Sequence, residues 1–105
     1  RKPKDKGSMS AAWFTIEEAS RWLDVAAEAV AQDPFAKYRL ADIAHAKSTL
    51  GVSRAGQLGA AIDFRYAADV ALRGAYPDCK ARVLCFCATV LQARVDAMDA
   101  EDGEA

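Results

Sequence analysis

Apolar residues recur along this chain at spacings of three and four, the period of helices that bury one face. Thr15-Ile16-Glu17-Glu18 reads as a capping box: the Thr15 hydroxyl accepts from the Glu18 backbone N–H, and the Glu18 carboxylate reaches back. Ile16, Ala19, Leu23, Ala26 and Val30 follow as one stripe, widened by Trp22 and Ala27. Trp13 and Phe14 precede the cap and can staple onto the first turn. Asp33-Pro34 ends this first helix, because proline disfavours helical geometry in the residue before it.

The next segment runs from about Phe35 to Arg73 without a proline, and Leu40, Ile43, Ala44, Leu50, Leu58, Ile62 and Tyr66 keep a helical period. It reads as one long central helix. Gly51, Gly56 and Gly59 each weaken it by about 1 kcal/mol relative to alanine, and Gly51 marks the place for a break or kink. Gly74-Ala75-Tyr76-Pro77 is a stop signal, and Asp78 can cap a third helix. Its stripe is Val83, Cys87, Val90, Leu91, Arg94/Val95 and Met98. No alternating strand pattern or hairpin dipeptide interrupts the helices. The expected fold is therefore all-α: three helices with a long central one. Stripes this wide leave apolar surface that one small chain does not cover, which predicts a homodimer with helices one and two in the interface.

Composition agrees with a single folded domain. The chain has 105 residues, 52% apolar and 28% charged, which argues against disorder. Its longest strongly apolar run, Val83 to Leu91, is nine residues, so no membrane-spanning helix is expected, nor is a secretory leader. Residues 1–8, ending in Gly7-Ser8, read as a cloning remnant before Met9; residues 9–99 read as the domain, and 100–105 as an acidic frayed tail.

Charge divides the chain more sharply than its total suggests. Net charge is −4 over residues 9–36, +4 over 37–82 and −4 over 83–105. The locally basic middle admits a polyanion partner. Chemistry of other kinds is sparse. One histidine, His45, with scattered carboxylates does not define a catalytic triad, and no strand precedes the glycines to support a phosphate loop. Cys79, Cys85 and Cys87 match no common zinc spacing; Cys85 and Cys87 read as buried core thiols. The chain is expected to be no enzyme, with no metal, cofactor or small-molecule substrate.

Lys47, Arg54 and Arg65 lie 7 and 11 residues apart, 18 in total, or about five turns. On one continuous helix they share a line, with Gly51 nearly on it and Arg39 and Arg73 flanking its ends. Such a line suits spaced phosphates. The plain alternative is a solvated helix face.

With that layout the chain resembles the small nodavirus suppressors of RNA silencing, B-type proteins that bind double-stranded RNA. The resemblance covers most of residues 15–98 and lies in layout more than identity. It rests on the first amphipathic helix, Gln32-Asp33-Pro34, a long helix ending in Val70-Ala71-Leu72-Arg73-Gly74, and a third helix from Lys80-Ala81-Arg82-Val83. Val52-Ser53-Arg54 also echoes the family's long helix. The resemblance implies an antiparallel homodimer with a four-helix-bundle core, one face of which lies along an A-form duplex in the host cytoplasm. It implies shielding of long duplexes and sequestration of short interfering ones. Arg54 and Arg65 fall where the family places bases, and Lys47 is close to another. The three glycines, the apolar third helix and the lack of a basic tail depart from the family. Two other readings stand beside it. Leu40-Ala41-Asp42-Ile43-Ala44 and Leu50-Gly51-Val52-Ser53-Arg54 echo a helix-turn-helix DNA binder, though the gap between them is long and Gln57 replaces an apolar position. A helical protein-interaction dimer is the third reading.

Overall fold

A computed structural model describes residues 14–74 and 78–104. The expected remnant, the Trp13 half of the staple and the stop at Ala75–Pro77 lie outside the described residues. Within them the chain is all-helical, with four helices and no strand: α1 (Ile16–Ala31), α2 (Arg39–Thr49), α3 (Arg54–Arg73) and α4 (Asp78–Glu104).

Helix α1 forms as its sequence demands. The Thr15 hydroxyl accepts from the Glu18 N–H at 3.2 Å, and Ala19, Leu23, Ala26 and Val30 are buried. Its end is fixed by the Asp33 carboxylate, which accepts from the Phe35 N–H at 2.9 Å and turns the chain.

The expected long central helix is two helices. The Ser48 and Thr49 hydroxyls both donate to the His45 carbonyl, at 2.8 and 2.9 Å, so the end of α2 bonds to its own side chains. Ser53 then adopts an extended backbone, and its hydroxyl accepts from the Gly56 N–H at 3.0 Å, capping a new helix. Gly56 makes the reversal compact. A Cβ there would lie 2.1 Å from the Thr49 carbonyl oxygen, so the start of α3 can press on the end of α2 only with glycine.

Helix α3 is the centre of the molecule. It packs most extensively on α4 and also meets α1 and α2. Ala60, Ala61, Ala67, Ala68 and Ala71 are buried on it, and such small side chains let neighbouring helices approach closely. Phe64 supplies the bulk, edge-on to Phe14 with ring centroids 6.3 Å apart. Leu23, Val30, Leu50, Leu84, Cys87 and Leu91 complete the core. Helix α4 continues to Glu104, through the positions expected to fray. Cys87 is buried as expected, but Cys85 is exposed, because two residues along a helix turn a side chain to the other face.

Candidate nucleic-acid interface

The break between α2 and α3 decides where the basic residues go. The phase from Lys47 to Arg54 is carried across residues 50–53, which are not helical, so the three cations do not form one line. Lys47 sits in the last turn of α2 and donates from Nζ to Asp24 Oδ1 of α1 at 2.8 Å. Arg54 opens α3 and grips Asp99 of α4 with two hydrogen bonds, Nε to Oδ1 at 2.6 Å and Nη2 to Oδ2 at 2.8 Å. Only the Arg54–Arg65 step survives within one helix: 11 residues, three turns and about 16 Å along an exposed face.

The flanking residues also have other tasks. Arg73 pairs with Asp69 one turn earlier, at 3.5 Å. Arg39 is half-buried. Its guanidinium lies 4.4 Å from the Tyr66 ring centre and 3.6 Å from Asp63 Oδ1, with Asp42 at 3.8 Å. Its Nε is buried without an acceptor among the described residues. This arginine ties the start of α2 to the middle of α3 and belongs to the scaffold. Gly51 is exposed in the turn; a Cβ there would meet only the Ile16 Cγ2 methyl, at an ordinary 3.5 Å. Nothing in the fold requires glycine at that position. Arg65 is exposed and makes no ion pair with any described residue.

Lys47, Gly51 and Arg54 flank the α2–α3 turn along the chain, where Val52 is also exposed, with Lys47 held toward α1 and Arg54 toward α4. Of the other three expected residues, Arg39 and Arg65 border one shallow cleft with Tyr66 and Asp69, and Arg73 lies at the end of α3. Sequence reasoning misses the carboxylates Asp24 and Asp99 as partners, since long-range pairing leaves no local mark. It also misses Asp63, which has one. Two residues before exposed Arg65, it falls on the opposite, core-facing side of α3 and is 4% exposed. Burial, reinforced by the charge of Asp42 and opposed by Arg39, pushes its carboxyl up to about 6. Asp63, Asp42, Arg39 and His45 line a cleft of about 340 Å³ between α2 and α3. Two carboxylates on its wall make it a poor seat for a phosphate.

Among the described residues no group of His, Cys, Asp or Glu is arranged to hold a metal ion, and no helix is long and apolar enough to cross a membrane. No family model matches the chain, and no characterised relative or solved structure does either.

Proposed function

We propose that this chain is a homodimer that binds double-stranded RNA without reading its sequence, a non-catalytic role in which coating of duplexes suppresses RNA silencing. The observation that carries the reading is the setting of Arg54. It stands at the first position of a 20-residue helix whose first turn contains no acid. A cation at that end opposes the helix dipole, whose positive pole calls for an anion. The guanidinium fork meets this need by holding the Asp99 carboxylate, in a geometry that phosphate matches equally well.

Lys47 across the turn adds a second cation, also held by an exposed carboxylate. Exposed ion pairs contribute little to stability, so exchanging Asp24 and Asp99 for phosphates costs the fold little. A-form RNA presents its phosphates and 2′-hydroxyls outward and hides its bases in a deep, narrow groove, so cations on a rigid helical frame bind it by shape. A twofold axis would double the two cations to four.

The α2-turn-α3 layout also has the outline of a helix-turn-helix. That reading puts α3 in a DNA groove and predicts tighter binding to one DNA sequence than to any RNA duplex. The RNA reading is tested by anisotropy of a labelled RNA duplex with Arg54→Ala and with Arg21→Ala on the acidic first helix. Arg54→Ala should weaken binding about tenfold or more, the scale of hydrogen bonds to a charged group. Arg21→Ala should leave it unchanged. A folded Arg54→Ala protein that binds as tightly as the parent overturns the reading.

A further inference from the structure

Leu58, Ile62, Arg65, Asp69 and Leu72 follow one another on α3 at spacings of four, three, four and three. That is the 3.5-residue seam of helices that pair along their length. From Ile62 onward the seam lies on the exposed side of α3. Ile62 and Leu72 are 49% and 59% exposed, Arg65 and Asp69 are exposed, and the opposite side of α3 carries the buried Ala60, Phe64, Ala67 and Ala71. Leu58 is half-buried and Ile62 borders the cleft beside α2, so the open stretch of the seam runs from Ile62 to Leu72.

We infer that this face is occupied by the same face of a second copy, with the two α3 helices antiparallel about a twofold axis level with Ala67. The charge pattern fixes the arrangement. Centring the pair on residue 67 sets Ile62 against the partner's Leu72, and the same alignment sets Arg65 against the partner's Asp69. Symmetry makes each contact twice. Sliding the helices by one heptad sets Leu58 against the partner's Asp69 and Ile62 against the partner's Arg65, apolar against charged both times. A parallel pair sets Arg65 against the partner's Arg65. Only the antiparallel register centred on Ala67 satisfies both the apolar and the charged positions, and charged seam positions select register in this way.

The monomer leaves these charges available. Arg65 has no ion-pair partner among the described residues, and Asp69 has only the exposed Arg73 at 3.5 Å. The inference takes the homodimer from the proposed function and supplies its register and interface, on α3 rather than on α1. It also places the two copies of Arg54 at opposite ends of the paired helices, roughly 40 Å apart at 1.5 Å per residue.

The test is sedimentation of the full chain at micromolar concentration, with helicity followed by circular dichroism. The parent should be a dimer. Arg65→Asp and Asp69→Arg should each raise the dimer dissociation constant about tenfold or more, because each sets like charges face to face twice. An equimolar mixture of the two variants should dimerise, since the wholly acidic seam of one variant then faces the wholly basic seam of the other. The double variant should dimerise with itself, because exchanging the two charges restores opposite signs across the axis. Both substituted positions are exposed, so helicity should be retained. A monomeric parent, single variants that dimerise like the parent, or a mixture that stays monomeric overturns the inference. Duplex RNA binding is read separately on the double variant. Restored dimer without RNA binding leaves the seam standing and counts against the RNA reading; RNA binding by a double variant that has stayed monomeric overturns the seam alone.

Discussion

Arg54 and Asp99, 45 residues apart in the chain, are joined by two hydrogen bonds of 2.6 and 2.8 Å that connect the first residue of α3 to the last part of α4. Arg54 holds the Asp99 carboxyl below the usual carboxylate range. If Asp99 occupies the place of a phosphate, removing its charge makes Arg54 more available. Asp99→Asn should therefore tighten duplex RNA binding, by about three- to tenfold, the effect of removing one negative charge from a phosphate-binding surface. Titration at fixed salt checks this; weaker binding would mean that Asp99 positions Arg54 for RNA and does not compete with it.

Much of α1 is legible in the sequence because its signals are local: the Thr15 cap and the stripe through Val30 need no information from elsewhere. Gly51 marks the break at residues 50–53 without resolving it, because apolar periodicity persists through Leu50 and Leu58. The sharper signal is Ser53 three residues before Gly56, a cap in the middle of an apparent helix. The break carries through to the site. A line of charges depends on unbroken helical phase, so the Lys47–Arg54 step fails and the Arg54–Arg65 step survives. The carboxylates that hold Lys47 and Arg54 come from α1 and α4, and only tertiary packing brings them in.

Asp63 makes stability depend on pH in a direction opposite to that of most carboxylates. Its carboxyl is pushed up to about 6 in the fold, above the ordinary value of 3.8, so the folded chain holds this proton more tightly than the unfolded one. This group's penalty is absent below about pH 4, grows as the pH rises through 6 and is complete at neutral pH. Asp63→Asn should stabilise the protein by about 1–2 kcal/mol at pH 7.5 and by almost nothing at pH 4. Urea unfolding at the two values measures the difference; a variant less stable than the parent at pH 7.5 contradicts the reading of Asp63 as a buried penalty.

Two glycines three residues apart should respond in opposite directions. An alanine Cβ at position 56 meets the Thr49 carbonyl, backbone that cannot swing aside, whereas one at position 59 meets nothing within 4 Å. Gly56→Ala should cost about 2–3 kcal/mol by overpacking, and Gly59→Ala should gain up to about 1 kcal/mol from helix propensity. Equal effects of the two substitutions on the urea midpoint would contradict the close α2–α3 approach.

The thiols should separate into two classes. Cys79 and Cys85 are exposed, whereas Cys87 is buried and burial pushes its thiol up to about 12. Titration with a chromogenic disulfide at pH 8 should give two fast equivalents, with the third appearing on denaturation. Three fast equivalents in the native protein would place Cys87 outside the core.

The most direct measurement is competition of unlabelled nucleic acids against a labelled RNA duplex, repeated over a range of salt concentrations. Duplex RNAs of unrelated sequence should displace the probe equally and single strands should displace it poorly. With Lys47 and Arg54 contributed by each of two chains, affinity should fall with salt at a log–log slope of roughly −3 to −4, taking the duplex DNA coefficient. Absence of duplex RNA binding at low salt, or tighter binding to one DNA sequence than to any RNA duplex, would contradict the account.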